Sequence, residues 1–385
     1  MKIAIISTNY QSLPPEEGVY APLAITSQLA DGLSRRGHEV TLFAGSDSIS
    51  DAKLISGNLP SIKKNKKWRE PFKKLNDMID DPQFGEKAVK YREVLRGNYE
   101  LLLAAELFKR ADSFDIIQTH SPARIVQMSS FTDTPVAVTF HNPFDYPMKT
   151  GATKVIYEEL SKRNKNIYFL SLSDSQKELA PNLPFVSTVY NGIDTTEFTP
   201  SPKKKDYLLF VGRIIPRKGA HIAIRVAKKT DKKLKMVGPT YKGREKYWKE
   251  NIKPHLNEKI TYEGFLPQEE LIPLYQKAKA LLMPITGDES FGLVMIEAMA
   301  CGTPVIGFNK SSVPEIIVSG KSGFIVENEE EMVRAVKKIR SINPENCRKV
   351  VEDKFTVSKM VERYEQAYQK IIKLHKNKNR NEVSE

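Results

Sequence analysis

Residues 280–308 read ALLMPITGDESFGLVMIEAMACGTPVIGF, and this stretch indicates the fold class. Its opening apolar run predicts a buried strand, and the polar residues GDES (287–290) predict a loop. Residues 292–300 predict a helix that stops at Gly302, because glycine is common just past a helix end. The run 304–308 predicts the next strand. Strands that alternate with helices in this way are typical of an α/β fold.

The same alternation runs along the whole chain in two series, separated by a polar stretch. Residues 196–206, TEFTPSPKKKD, contain two prolines and a lysine run, and they predict a linker between domains. The fold class expected is therefore α/β, with two Rossmann-like, doubly wound domains at 1–196 and 197–356. Ligands of such folds bind at the carboxyl ends of the strands, so we expect a cleft between the domains. The predicted strands are 2–8, 38–45, 115–120, 136–141, 167–173, 187–192, 207–213, 233–238, 260–265, 280–285, 304–308 and 323–327.

One common use of this fold is disfavoured by the turns that follow the strands. No G-x-G-x-x-G motif follows the first strand of either series. That glycine pattern lets a dinucleotide pyrophosphate approach the backbone. A dinucleotide-dependent oxidoreductase is therefore not expected.

The charge balance points to an anionic partner. The chain has 385 residues and a formal net charge of +13. Basic residues concentrate in 61–74, SIKKNKKWREPFKK, and in the tail 373–385. These runs are interpreted either as a solvated loop and a frayed terminus, or as a peripheral contact with an anionic membrane in which Trp68 lies at the interface. A nucleic-acid partner is not expected, because the basic runs lack interleaved stacking aromatics and no binding motif is present.

A cytoplasmic location is expected from the sequence, with or without that peripheral contact at the inner face of the membrane. No apolar run approaches the ~18 residues of a membrane helix. The first residues, MKIAIISTNYQS, predict a core strand rather than a signal peptide. The only cysteines are Cys301 and Cys347, so no disulfide framework is indicated.

Two cations follow the first strand of the second series, in VGRIIPRKG (211–219). Gly212 allows a ligand to approach the backbone closely. Arg213 and Lys218 then lie at the carboxyl end of the strand, where they suit a diphosphate. The alternative is two surface cations near a turn.

The helix predicted at 292–300 begins at the same edge of its sheet. Its first N–H groups, at Leu293 and Val294, favour a phosphate, and Gly292 lets that phosphate approach. Glu289 precedes the helix and Glu297 lies inside it, so the acids flank such a phosphate and could bind a sugar and a ribose. Taken alone, Glu289 is equally explained as an acid that is favoured near a helix N-terminus.

The stretch that contains these acids resembles the E-x7-E motif of the retaining glycosyltransferases of family 4, which have the GT-B fold. The resemblance extends in order over nearly the whole chain. It also implies that the C-terminal helix returns to the first domain, which would then comprise 1–196 and 357–385. The matching segments are RGHEVTLFAG (36–45), DIIQTHSP (115–122), SLSDSQK (171–177), VYNGIDTTEF (189–198), VGRIIPRKG (211–219), YEGFLPQEELIPLYQKA (262–278) and ESFGLVMIEAMACGTPVI (289–306).

The resemblance implies a role for each matched residue. Arg213 and Lys218 hold the donor diphosphate, Glu289 binds the donor sugar and Glu297 binds the ribose. His120 contacts the donor sugar, although a lone histidine at a strand end is by itself as consistent with a structural role. The further implied positions are backbone groups at Phe291, Gly292, Leu293 and Val294, base-pocket residues Phe265 and Leu266, the weaker acceptor-side candidate His141, and the structural residues Asn191 and Asp194.

One position departs from the family pattern. The family has a pair of glycines in its first loop, where this chain reads PPEEGVYAP (14–22). Gly18 matches the second glycine and is a candidate phosphate contact, but Glu17 replaces the first. A carboxylate beside a diphosphate is repulsive unless it points away or binds the acceptor.

The function expected is transfer of a hexosyl group, with retention, from a UDP- or GDP-sugar to a glycan, lipid-linked or small-molecule acceptor. The nucleotide sugar is a substrate, no cofactor is expected, and the lack of an Asp-x-Asp pair predicts no metal site. The resemblance implies a role in cell-envelope glycan synthesis. The alternatives are a GT-B protein that binds sugar nucleotides without transferring sugar, and a GT-B epimerase, which would lack the E-x7-E motif.

Overall fold

The computed structural model describes residues 1–15, 21–79, 81–120, 123–144, 151–201, 203–240 and 244–383. The chain forms two compact units. The first comprises Met1–Leu172, Leu179–Val189 and Val361–Glu385, and the second comprises Ser173–Glu178 and Tyr190–Met360. The sequence places the corresponding boundaries after residues 196 and 356.

The first unit is built on a seven-stranded parallel sheet. Its order is β3-β2-β1-β4-β5-β6-β7, so the chain winds in both directions from β1. The inner strands are buried on both faces, which explains their continuous apolar sequences. The strands are β1 (Lys2–Ile6), β2 (Glu39–Phe43), β3 (Lys53–Ile55), β4 (Ile116–Thr119), β5 (Val136–Thr139), β6 (Ile167–Ser171) and β7 (Phe185–Thr188).

Helices of the first unit extend further than the sequence predicts. From the sequence, residues 46–100 are expected to form an insertion rich in Lys, Asn and Pro, with helices at 101–111 and 355–374. The insertion 46–100 contains one helix and most of another, whereas a helix is expected only from residue 101. The C-terminal helix also continues past residue 374 to Val383. The helices numbered from the N-terminus are α1 (Ala21–Arg35), α2 (Lys66–Asp77), α3 (Gly85–Phe108), α4 (Ala123–Gln127), α5 (Ala152–Arg163), α6 (Asp174–Glu178, in the second unit) and, at the C-terminus, α14 (Val357–Val383), most of which belongs to the first unit.

Buried tyrosines fix the C-terminal helix to the sheet of the first unit. Tyr368 Oη donates to Gln118 Oε1 at 3.1 Å, and Tyr364 Oη donates to Thr139 Oγ1 at 3.3 Å. Both tyrosines are fully buried, so each hydroxyl needs such a partner.

No helix of the described residues combines the length and apolarity that a membrane span requires.

The second unit has a six-stranded parallel sheet of order β10-β9-β8-β11-β12-β13. The order reverses between β8 and β11, and ligands of doubly wound sheets bind at such a point. The strands are β8 (Tyr207–Val211), β9 (Lys233–Val237), β10 (Ile260–Tyr262), β11 (Ala280–Met283), β12 (Val305–Phe308) and β13 (Gly323–Val326). The helices are α7 (Ala220–Lys229), α8 (Glu245–Asn251), α9 (Gln268–Lys277), α10 (Leu293–Ala300), α11 (Val313–Ile316), α12 (Glu329–Lys338) and α13 (Pro344–Lys354).

A half-buried lysine ties the start of β8 to the ends of two helices. Lys204 Nζ donates to the carbonyl oxygens of Gln276 and Cys301, at 2.9 and 3.1 Å, and to Thr303 Oγ1 at 2.7 Å. Cys301 is the C-cap residue of α10. A cation at a helix C-terminus satisfies carbonyl groups that the helix leaves unpaired. Lys204 therefore fixes the position of α10.

Replacement of this lysine should destabilise the second unit. Lys204→Met retains the apolar stem but leaves three acceptors without their donor, so we expect a loss of about 2–3 kcal/mol in the free energy of unfolding. Urea unfolding followed by tryptophan fluorescence in a Trp68→Phe background measures it, because Trp248 then reports on the second unit alone. The neighbouring exposed Lys203→Met is the control. Equal effects of both substitutions would contradict this role.

Candidate functional site

The loop between β11 and α10 is fixed to the loop after β8 by a close backbone approach. Gly219 has φ +80°, and a Cβ atom there would lie 2.0 Å from the Pro284 carbonyl oxygen. The Thr286 N–H donates to the Arg217 carbonyl at 2.8 Å, and the Arg217 guanidinium donates to the Asp288 carbonyl. Only glycine allows this contact at position 219. The two loops therefore form one surface at the carboxyl edge of the sheet.

On this surface, Lys218 and Glu289 form an ion pair. Their side chains are 13% and 14% exposed, so the pair is largely shielded from water. Arg213 follows Gly212 at the end of β8 and is half-buried. The structure thus joins two of the predicted site residues across 71 positions of sequence and places Arg213 at the same sheet edge.

Helix α10 begins directly beyond this pair, as predicted. Gly292 is its N-cap residue with φ +89°, a conformation that favours glycine. Leu293 and Val294 form the start of its first turn and are half-buried. First-turn N–H groups have no partner within a helix, so they are available to an anion.

Glu297 lies in a different environment from Glu289. Its Oε2 accepts a hydrogen bond of 2.7 Å from the hydroxyl of Tyr275, a fully buried residue of α9. In the described part of the chain, no hydrogen-bond partner contacts its other carboxylate oxygen. Burial raises the pKa of Glu297 to about 7, and the hydrogen bond from Tyr275 lowers this pKa by a smaller amount. Glu297 therefore titrates near neutral pH.

The ring of Phe291 makes structural contacts, in addition to the backbone role that the resemblance implies. Its ring is 2% exposed and packs against Tyr190 and Phe355, with centroids 6.1 and 5.9 Å away. Its carbonyl oxygen accepts from Ser312 Oγ at 2.7 Å. The Phe291 carbonyl oxygen thus has a hydrogen-bond partner within the fold, whereas Gly292, Leu293 and Val294 are partly exposed.

The predicted base-pocket residues follow β10. Phe265 is exposed, and Leu266 is half-buried. The Gly238 N–H donates to the Gly264 carbonyl at 2.8 Å, so the end of β9 fixes the start of this segment. A Cβ atom on Gly238 would lie 2.1 Å from the Gly212 carbonyl oxygen. Gly238 is therefore needed for the backbone at Gly212, and no sequence pattern predicted this role.

The first unit contains a histidine pair at the carboxyl ends of adjacent strands. His120 follows β4, His141 follows β5, and His120 Nδ1 lies 2.7 Å from His141 Nε2. One of these nitrogens carries the proton that the other accepts. Burial lowers the pKa of His141 to about 4, and burial, with a smaller effect of His141, lowers the pKa of His120 well below its ordinary value. Both rings are therefore neutral at physiological pH.

His120 retains an unused ring nitrogen. Its Nε2 is buried, and among the described residues no hydrogen-bond partner reaches it. A buried polar atom without a partner is costly and often marks a functional position.

Gly18 and Glu17 lie outside the described residues, so their predicted roles stay predictions. In the described part of the chain, no three His, Cys, Asp or Glu side chains gather as a metal-binding group.

Two family models match consecutive parts of the chain. The model described as Glycosyltransferase Family 4 matches residues 25–197, and the model described as Glycosyl transferases group 1 matches residues 194–381. The chain belongs to glycosyltransferase family 4. The second match contains Arg213, Lys218, Glu289 and Glu297.

Curated relatives of this family 4 chain match it over part of their length. A 41.2 kDa uncharacterised protein from the cps region of Klebsiella pneumoniae is 34% identical over 176 residues, which are 43% of this chain and 47% of that protein. The O-antigen chain mannosyltransferase RfbU of Salmonella typhimurium is 29% identical over 218 residues, 53% of this chain and 61% of RfbU. The chain thus aligns with about half to three fifths of these relatives.

The fold of this family 4 chain is found among solved structures. HepE of Anabaena, in complex with UDP, superposes with a TM-score of 0.66 at 16% identity, covering 96% of this chain and 100% of HepE. The predicted fold class, two Rossmann-like domains of GT-B type, is confirmed by this match and by the two parallel sheets.

The pKa of Glu297 gives a test of its environment. Because the folded protein holds the proton more tightly than the unfolded chain, the stability due to Glu297 falls as pH rises from about 4.5 to about 7. We expect Glu297→Gln to be more stable than the native chain by about 1–2 kcal/mol at pH 8 and equally stable at pH 4.5. Urea unfolding at both pH values measures this, with the exposed Glu258→Gln as control. A pH-independent difference would refute it.

Proposed function

We propose that this chain is a retaining glycosyltransferase that moves a hexosyl group from a UDP- or GDP-sugar to a glycan, lipid-linked or small-molecule acceptor. The observation that carries the proposal is the pairing of Lys218 with Glu289 next to the first turn of α10. It places a cation suited to a diphosphate beside a carboxylate suited to sugar hydroxyls. Membership of family 4 supports the reaction class.

The relatives support the classes of donor and product. HepE was crystallised with UDP, and RfbU is named as an O-antigen chain mannosyltransferase. By analogy, the donor of this chain is a nucleoside diphosphate sugar, and its product belongs to a cell-envelope glycan.

In this proposal, donor binding begins when Lys218 exchanges its partner Glu289 for the donor diphosphate. Lys218 is neutralised by Glu289. A diphosphate carries more negative charge than one carboxylate, so it competes for the Lys218 ammonium, together with Arg213 and the first N–H groups of α10. Glu289 then becomes available to accept hydrogen bonds from the donor sugar. Glu297 accepts from the ribose diol through the oxygen that Tyr275 leaves open.

In the proposed reaction, the bond between C1 of the sugar and the phosphate oxygen breaks. A bond from C1 to the acceptor oxygen forms on the same face, and the acceptor proton passes to the departing phosphate. Arg213, Lys218 and the helix N-terminus stabilise the negative charge on the leaving group, so the scheme needs no metal ion. His120 is proposed to contact the reacting sugar, where a neutral imidazole can hydrogen-bond without adding charge.

The proposal includes a cytoplasmic protein with a peripheral contact to the anionic inner face of the membrane. The cations of 61–74 are exposed. Trp68 is not placed as an interfacial anchor, because its ring packs against Tyr99 with centroids 4.8 Å apart. Any lipid contact of this segment is therefore electrostatic and weakens with salt.

Nucleotide release from a panel of UDP-, GDP- and ADP-sugars tests the function. We expect Lys218→Ala and Glu289→Gln each to lower turnover by on the order of 10²-fold or more, because each removes a contact that stabilises the transition state. The exposed Lys246→Ala and Glu258→Gln are the matched controls. Failure of the native chain to bind any sugar nucleotide would refute the proposal. Binding without turnover would instead favour a sugar-nucleotide-binding protein.

The titration of Glu297 predicts a pH dependence of donor binding. The carboxylate accepts hydrogen bonds from the ribose more strongly when it is ionised, so donor affinity should fall as pH decreases below about 7, by at most about tenfold per pH unit. Calorimetry with a sugar nucleotide measures it, because the sugar diphosphate itself does not titrate near neutral pH. Glu297→Gln should bind weakly and without this pH dependence. A native affinity that is constant from pH 5.5 to 8 would contradict the ribose contact.

A further inference from the structure

The first unit contains a basic pocket that the proposed donor site does not use. It has a volume of about 420 Å³ and is lined by the segment after β1, by residues 61–64 and by one face of α2. Its volume lies within the range of small-molecule sites. Because β1 ends at Ile6 and Tyr10 to Ser12 follow it, the pocket lies at the carboxyl edge of the sheet, where doubly wound folds bind ligands.

An aromatic cluster fixes the walls of this pocket. Phe72 of α2 is 4% exposed and packs with Ile62 and Tyr99, and Trp68 packs against the same cluster. The Ile62 N–H donates to the Asn9 carbonyl at 3.0 Å, and the Tyr99 hydroxyl donates to the Pro60 carbonyl at 2.6 Å. Both walls are thus held by buried contacts, so the pocket is preformed.

The described lining residues of the pocket carry positive charge. Lys63, Lys64, Arg69 and Lys73 line the pocket, and among the described lining residues none is acidic. Arg69 and Lys73 lie one helical turn apart on α2, and neither makes an ion pair with a described residue. Like charges at this spacing repel each other and are destabilising unless an anion lies between them. The pocket therefore favours an anionic ligand.

A second, independent feature points to the same ligand. Gln11 lines the pocket, is 3% exposed, and its Nε2 is buried without a hydrogen-bond partner among the described residues. A buried amide N–H group without an acceptor is costly. An oxygen of a bound anion would satisfy it, while the cations neutralise the anion charge.

We propose that this pocket binds a phosphoryl group, and that the group belongs to the sugar acceptor. The second part rests on the proposed transferase function. A phosphoryl group has several acceptor oxygens, which matches a pocket that presents the cations of Arg69 and Lys73 and a buried amide donor without a partner among the described residues. The same chemistry is offered by a soluble sugar or polyol phosphate and by a lipid-borne phosphate, so the two sources need separate probes.

The first measurement is calorimetry with glycerol 3-phosphate. Arg69→Ala/Lys73→Ala should weaken binding by at least about tenfold, whereas Lys67→Ala/Lys74→Ala, on the same helix with the same change in net charge, should weaken it less than about twofold. Gln11→Leu should weaken binding at unchanged net charge. No binding to the native chain, or equal losses in both double variants, would overturn the inference.

The second measurement identifies the source of the phosphate. Sedimentation with phosphatidylcholine vesicles, with and without phosphatidic acid, is compared for the two double variants. Pelleting that depends on phosphatidic acid and is lost only in Arg69→Ala/Lys73→Ala indicates a lipid-borne phosphate. Binding of glycerol 3-phosphate without such pelleting indicates a soluble one. If both double variants lose pelleting equally and the native chain does not bind glycerol 3-phosphate, the segment is a nonspecific basic surface. That result would overturn the inference.

The third measurement separates this inference from the proposed function. Glycerol 3-phosphate should bind the native chain and Lys218→Ala equally, and its thermal stabilisation should add to that of a saturating sugar nucleotide, because the ligands occupy separate sites. Competition between them would show a donor site instead and overturn the acceptor role. If the native chain binds glycerol 3-phosphate but no sugar nucleotide, the transferase proposal is refuted and the phosphoryl-binding pocket is not.

Discussion

The close approach of Gly219 to the Pro284 carbonyl is the constraint on which the candidate donor site depends. It joins the loops that follow β8 and β11, two strands that pair at the point where the sheet order reverses. Lys218 lies directly before this glycine, and Glu289 lies a few residues after the proline. Since any Cβ at position 219 would overlap the carbonyl oxygen, the ion pair exists only because the backbone there carries no side chain.

The two acids of the site differ through their surroundings. Glu289 faces a lysine, so its charge is balanced before a ligand arrives. Glu297 faces a buried tyrosine hydroxyl, and burial keeps its pKa near neutral. A carboxylate that has only one neutral partner retains capacity for further hydrogen bonds, whereas one that pairs with a cation must first exchange it. The same residue type thus lies in two different electrostatic environments.

In the first unit, the insertion 46–100 forms a basic pocket. Its composition alone does not distinguish a solvated loop from a binding surface. Its residues Trp68, Phe72 and Tyr99 turn inward and form a small core, while Arg69 and Lys73 remain outside and line a pocket. The histidine pair shows the reverse case, in which burial removes charge from two titratable rings. In both places, packing decides whether a polar group is charged, paired or open to a ligand.

The sequence by itself determined the two parallel sheets and the start of α10 at Gly292, because strand hydrophobicity and glycine at a helix boundary are local signals. It did not predict residues 85–100 as helix, because this part of α3 is largely exposed and its buried residues are too sparse to produce an apolar stripe. Strand ends and a helix N-terminus pointed to Arg213, Lys218, Glu289 and Glu297 as candidate site residues, and family resemblance supplied their expected roles. Only the tertiary structure paired Glu297 with Tyr275, His120 with His141 and Glu289 with Lys218, because these contacts join distant parts of the chain and depend on how its helices and loops pack.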